Sequence, residues 1–166
     1  KELEEIQDYQ NSFIARKEGA DIYRSLFDYD VYSDISFIEA LQKNYTKEYL
    51  KRPVQGYSNK EPIFIVGLPR SGTTLLERIL SNHKSVQSQG ELTHFHTEIL
   101  NGFKALSLPS NLSREAMVKA SLDFDFKTIG KNYVESTRFS TGSKSHFIDK
   151  FPQNSLYVGL IKKALP

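Results

Sequence analysis

The sequence predicts an α/β fold with a parallel sheet, preceded by an all-helical segment. Three observations carry that prediction. Ile63-Phe64-Ile65-Val66 is a short, β-branched apolar run, the pattern of a strand buried on both faces. It passes into a turn-rich stretch, Gly67-Leu68-Pro69-Arg70-Ser71-Gly72, and then into an amphipathic helical pattern. Beyond that, helical periodicities alternate with short apolar runs, the order expected when crossover helices join parallel strands.

Residues 1–30 read as helix. Leu3, Ile6, Tyr9 and Phe13 recur at helical spacing, and Tyr23, Leu26 and Phe27 continue the stripe after Gly19. Ser36-Phe37-Ile38-Glu39 fits a capping box and predicts a second helix, with Ile38, Leu41 and Tyr45 on one face. A short third helix is expected from Thr46, carrying Tyr49 and Leu50. The polar stretch 53–62, with Gly56, Ser58 and Asn59, reads as a linker. The organisation expected is therefore a helical segment over 1–52, a linker over 53–61 and an α/β domain over 62–166.

Within that domain, Leu75, Leu76, Ile79 and Leu80 are expected on the inner face of the helix after the glycine turn. A second short strand is expected around Val86. Glu91 to Leu106 reads as a helix with Leu92, Phe95, Ile99 and Phe103 inward. Leu108-Pro109-Ser110-Asn111 is a break, and two helices follow from Ser113 to about Arg138. Residues 140–145 form a loop. His146-Phe147-Ile148 is a brief strand leading to Asp149-Lys150-Phe151-Pro152, and Leu156, Leu160, Ile161 and Ala164 mark a last helix.

The bulk properties narrow the function. The chain has 166 residues, of which 39% are hydrophobic and 25% charged, as in an ordinary globular protein. A net charge of +2 gives no support to nucleic-acid binding by bulk electrostatics. There is no cysteine, which excludes a disulfide framework, a thiolate metal site and a cysteine nucleophile. No apolar run reaches the roughly 18–20 residues that cross a bilayer, and Lys1-Glu2-Leu3-Glu4-Glu5 does not resemble a signal peptide. A cytoplasmic protein without a membrane or nucleic-acid partner is expected. Asn44-Tyr45-Thr46 and Asn111-Leu112-Ser113 fit the glycosylation triplet, a pattern common by chance.

The glycine turn has chemistry suited to an anion. A strand that feeds a tight turn into a helix aims several backbone N–H groups at one point, aided by the helix dipole. Gly67 and Gly72 allow close backbone approaches, while Ser71, Thr73 and Thr74 add hydroxyl donors. Arg70 adds a permanent charge with a donor fork matched to phosphate or sulfate oxygens. The turn is nearly the nucleotide-binding pattern G-x-x-x-x-G-K-[ST], with Thr73 where the lysine belongs. Strand, glycine loop and helix in this order describe part of a P-loop-containing, three-layer domain with a parallel sheet.

Pro62 through Leu76, with Pro69-Arg70-Ser71-Gly72-Thr73-Thr74 at its centre, resembles the 5′-phosphosulfate loop of sulfotransferases that use 3′-phosphoadenosine-5′-phosphosulfate (PAPS). It is most similar to the branch of tyrosylprotein sulfotransferases and bacterial sulfotransferases with tetratricopeptide repeats. Gln89-Gly90-Glu91-Leu92 resembles that branch's glycine–glutamate segment, and Ile148 through Asn154 its D-K-x-P-x-N segment. The resemblance implies PAPS as co-substrate, no metal, and a loop of Pro69, Arg70, Ser71, Gly72, Thr73, Thr74 and Leu75 around the nucleotide's sulfur-bearing end. It implies Glu91 as catalytic base, with Lys150 and Arg70 stabilising charge on the transferring group. Asp149 is expected to order the turn before the last helix, and Asn154 to cap that helix. His94 is a reserve base, three residues from Glu91 and on the same face if the segment is helical. His94 and His96 diverge on a helix and make a poor metal pair.

Residues 1–26 resemble the end of a helical repeat array. The family's 3′-phosphate site follows the strand after Pro166, so a fragment truncated before that site is expected, inactive by itself. The acceptor stays open among protein tyrosine, saccharide and small metabolite. Two rival readings are a P-loop nucleotide kinase, disfavoured by Thr73, and a protein-interaction module with a degenerate anion site.

Overall fold

The computed structural model describes residues 2–53, 55–109 and 111–166. Lys1, Val54 of the expected linker and Ser110 of the expected break lie outside the described residues. The chain divides into two compact units, Lys1–Ile35 and Ser36–Pro166.

In the first unit the expected single helix is two. A short α1 (Glu2–Glu5) ends where Gln7 takes a left-handed φ of 61°. Asp8 then caps α2 (Tyr9–Ser25), accepting from the Asn11 N–H at 3.2 Å. Arg16 and Glu4 pair at 2.6 Å across the break. α2 stops five residues before Asp30, where Arg24 donates to the Phe27 and Tyr29 carbonyls at 2.8 and 3.3 Å. The next helix, α3 (Val31–Asn44), starts earlier than the Ser36 capping box predicts. Asp30 is the physical reason: its carboxylate accepts from the Tyr32 N–H at 2.9 Å and its carbonyl from the Ser33 N–H at 3.2 Å. Ser36 is therefore interior to a helix already begun.

In the second unit α4 (Lys47–Lys51) starts where expected, with Thr46 accepting from the Tyr49 N–H at 3.2 Å. Among the described residues the sheet has three strands: β1 (Pro62–Ile65), β2 (Val86–Ser88) and β3 (His146–Lys150). Their order is β1-β3-β2 and both pairings are parallel. β3 runs two residues further than predicted, so Asp149 and Lys150 are strand residues and face opposite sides of the sheet.

Helices cover both faces, giving the three-layer α/β architecture. On one side Phe64 and Phe147 meet α6 (His94–Ala105), α8 (Phe126–Thr141) and α9 (Val158–Ala164). The core there is built from rings: Tyr133 lies 5.5 Å from Phe64, stacked, and 5.3 Å from Phe95, edge-on. Such pairs add about 0.5–1.5 kcal/mol each beyond burial. α7 (Arg114–Ala120) is capped by Ser113 and runs through a short 3-10 turn toward Phe124, which packs on Phe103. On the other side Ile65, Val86 and Ile148 pack with Ile63 and Leu80, the last from α5 (Thr73–Ser81).

Residues 55–61 carry no regular element, yet they are laid along α9. The Tyr57 N–H donates to the Ala164 carbonyl at 2.8 Å, and a Cβ on Gly56 would run into the Lys163 carbonyl. Lys163 donates to the Arg52 carbonyl at 2.7 Å.

Candidate active site

Parallel strands leave one edge of the sheet where all their carboxyl ends emerge, and loops gathered there come from distant parts of the chain. Ile65 is paired with Lys150 and Ser88 with Ile148. The glycine loop after β1, the Gly90-Glu91 segment after β2 and the end of β3 therefore open at the same edge.

The loop turns tightly. The Ser71 N–H donates to the Leu68 carbonyl at 3.2 Å, Arg70 has a φ of 68° and Gly72 a φ of 91°. Gly72 is the N-cap of α5 and supplies no side-chain cap, so the first-turn N–H groups of Thr73, Thr74 and Leu75 are left for an outside acceptor. A Cβ on Gly67 would lie 2.8 Å from the Ser71 hydroxyl. Pro69, Arg70, Ser71, Gly72, Thr74 and Leu75 are exposed and Thr73 is half-buried. Among the described residues nothing pairs with the Arg70 guanidinium, which remains available to an anion.

Glu91 and Lys150, far apart in sequence, are in contact: Lys150 Nζ donates to Glu91 Oε1 at 2.9 Å. Lys150 is nearly buried, with a side chain 9% exposed, whereas that of Glu91 is 56% exposed. A second carboxylate lies 3.7 Å from the same ammonium, Glu77 Oε2 of α5. Ser88 of β2 donates to the other oxygen of Glu77, and the Gly90 N–H donates to the Ser88 hydroxyl at 3.3 Å. The hydrogen bond from Lys150 to Glu91 and the nearby charge of Glu77 hold the ammonium above its ordinary pKa, against the opposing effect of burial.

Several expectations change here. Glu91 is not in the first turn of a helix, because α6 begins at His94 and Gly90 bends the chain with a φ of 80°. His94 is consequently not on a shared helical face with Glu91. On α5 the apolar side is turned outward: Leu75 is 64% and Ile79 59% exposed, and Leu76 is exposed too. Only Leu80 of the predicted inner face packs on the sheet. The buried residue of the helix is Glu77, 7% exposed, because the sheet beneath it presents the Lys150 ammonium. Neither Glu77 nor Ser88 stood out in the sequence; the one signal was a carboxylate spaced three residues from Leu80 and four from Thr73.

Asp149 faces the opposite side of β3 and is fully buried. It accepts from the Tyr133 hydroxyl at 2.9 Å and from Asn154 Nδ2 at 3.0 Å. Burial raises its carboxyl to a pKa of about 6. Asn154, expected as a cap, is instead buried inside a 3-10 turn, Pro152–Tyr157, while Tyr157 occupies the cap position of α9. His96 Nδ1 lies 3.2 Å from the Tyr157 hydroxyl. Among the described residues no group of three His, Cys, Asp or Glu is arranged around a metal position, and no helix is long and apolar enough to cross a membrane.

A family model described as "Sulfotransferase family" matches residues 62–166, the whole of the sheet-bearing region. The chain is also 33% identical, over 171 aligned residues, to an uncharacterized protein of Aquifex aeolicus (strain VF5). That alignment covers 100% of this chain and 22% of the Aquifex protein, so the chain spans about a fifth of its relative's length. No solved structure matches the chain.

Proposed function

The chain belongs to the sulfotransferase family, and from that premise we propose that it carries the 5′-phosphosulfate loop and the proton-accepting residue of an enzyme that moves a sulfuryl group from PAPS to an acceptor hydroxyl or amine. The observation that carries the reading is the Lys150–Glu91 contact at the sheet edge where the glycine loop opens. A base, a cation and an anion cradle are what sulfuryl transfer asks for.

The loop fits a tetrahedral anion. Its left-handed Gly72 leaves the start of α5 unobstructed, and Ser71, Thr73 and Thr74 carry hydroxyls beside it. In the proposed reaction these groups hold the 5′-phosphate, and Arg70 closes on its oxygens. Glu91 takes the proton from the acceptor hydroxyl as the acceptor oxygen bonds to sulfur. Lys150 and Arg70 neutralise the charge that collects on the bridging oxygen as its bond to sulfur breaks. Adenosine 3′,5′-bisphosphate leaves with that electron pair. The cradle uses backbone amides and fixed cations, which act strongest where water is excluded.

The test is transfer of labelled sulfate from PAPS by the full-length protein, paired with calorimetric titration of adenosine 3′,5′-bisphosphate and of ATP with magnesium. Tight binding of the bisphosphate without a divalent ion is expected, together with its weakening in Arg70→Ala. Preferential binding of ATP with magnesium would overturn the reading in favour of a phosphotransferase.

A further inference from the structure

Amphipathic helices bury their apolar side, and α5 does the reverse at one position. Leu75 and Ile79 stay exposed while Glu77 is turned onto the sheet. A carboxylate taken out of water costs several kcal/mol unless it is paired and hydrogen-bonded. Glu77 meets that condition with two partners from different strands, Ser88 of β2 and Lys150 of β3.

Lys150 thus has two counterions of unequal character. Glu91 is nearer, at 2.9 Å, but more than half exposed and carried on a loop. Glu77 is farther, at 3.7 Å, but buried and fixed by Ser88. An exposed carboxylate gives up an ion pair at little cost, since water replaces the partner. A nearly buried ammonium does not have that freedom and needs a neighbouring negative charge to stay ionised.

We propose that Glu77 is a positioning residue that anchors Lys150 from below, so that the lysine exchanges Glu91 for the transferring sulfonate without leaving its place. The inference rests on the sulfotransferase reading above. While Glu91 is bound to Lys150, one of its oxygens is occupied and its charge is offset, which makes it a poor base. A sulfonate arriving at the sheet edge competes for the ammonium and frees that oxygen for the acceptor proton. Glu77 keeps the lysine charged through the exchange. Among the described residues the ionisable groups facing Lys150 are Glu77 from α5 and Glu91 from the loop after β2; Asp149 points to the other face of the sheet.

The experiment compares wild type, Glu77→Gln and Glu77→Asp, each in the full-length protein, by side-chain ¹⁵N NMR titration of the Lys150 ammonium, by binding of adenosine 3′,5′-bisphosphate, and by the pH profile of sulfate transfer. Glu77→Gln is expected to lower the Lys150 titration by about one pH unit and to move the basic limb of the profile down with it. It should reduce kcat at least ~10-fold with nucleotide binding within about twofold of wild type, and Glu77→Asp should restore part of both effects. If Glu77→Gln does not fold, Ser88→Ala must shift the same limb in the same direction by a smaller step. An unmoved Lys150 titration, in a variant that still binds nucleotide, would overturn the exchange alone. Failure of the wild type to bind nucleotide would overturn the sulfotransferase reading and the exchange with it.

Discussion

Lys150 and Glu91 form one ion pair, yet removing either partner has different consequences. Glu91 is largely in water, so Glu91→Gln should leave stability within roughly 0.5 kcal/mol of wild type. If it is the base, turnover should fall by ~10²–10⁴. Lys150→Ala should lose turnover as well, but it also leaves the Glu77 carboxylate buried with only Ser88. Orphaning a buried charge costs about 3–5 kcal/mol, and the retained hydroxyl puts this site near the lower end. Chemical denaturation of the two variants beside sulfate-transfer assays checks the split. Equal stability of Glu91→Gln and Lys150→Ala would mean that Glu77 is not held by the lysine. A third variant, Lys150→Arg, keeps the charge but not the compact ammonium. It should recover most of the stability and little of the activity.

At the scale of elements, two glycines give opposite expectations. Gly130 lies in α8, where a Cβ would run into the Ala164 carbonyl and press within 3.0 Å of the Tyr57 side chain. Gly130→Ala should therefore destabilise by about 1–3 kcal/mol, as overpacking does. Gly19 sits inside α2 with nothing within 4 Å of such a Cβ. Gly19→Ala should stabilise that helix by roughly 0.5–1 kcal/mol, since alanine loses less backbone freedom. Thermal melts of the two variants would check the signs. Most elements were legible, because β1 and the start of β3 are apolar runs and α6 to α9 carry apolar residues at helical spacing, whereas β2, Val86-Gln87-Ser88, offered Val86 alone. What sequence could not give was the rotation of α5. A stripe of Leu75, Leu76 and Ile79 reads as an inner face, and only the ammonium under the helix makes Glu77 the better residue to bury. The start of α3 failed for a related reason. Ser36-x-x-Glu39 has the form of a cap, but capping forms also occur within helices when an earlier residue, here Asp30, has already supplied one. Resemblance singled out Glu91 and Lys150 for the proposed chemistry; their contact depends on strand register and so on pairings that no local pattern encodes.

Over the whole sheet-bearing unit, the largest pH effect expected in the mildly acidic range comes from a residue outside the proposed chemistry. Asp149 is buried on the ring-lined face with two hydrogen-bond donors and no cation. Its carboxyl is raised from the ordinary 3.8 to about 6, mainly by burial, with the bonds from Tyr133 and Asn154 working in the other direction. The folded protein therefore holds this proton more tightly than the unfolded chain. The stability it contributes is complete below about pH 4 and is lost as pH rises through about 6, a change of up to about 3 kcal/mol. The lowered carboxyls of Asp8, Glu48 and Asp125 act in the opposite sense, but in the more acidic range below their ordinary values. Urea denaturation between pH 4.5 and 7 should accordingly show stability falling with pH in the wild type. In Asp149→Asn, which cannot ionise, the slope over that interval should vanish even though one of the two donors loses its acceptor. A wild-type slope that survives the substitution would place the titrating group elsewhere. The neighbouring Lys150, on the other face of the same strand, stays charged throughout this interval because its pKa is raised from 10.5. A loss of turnover toward acid, if measured on the same samples, would therefore report on the proposed chemistry and not on unfolding, since the fold is expected to strengthen over that interval.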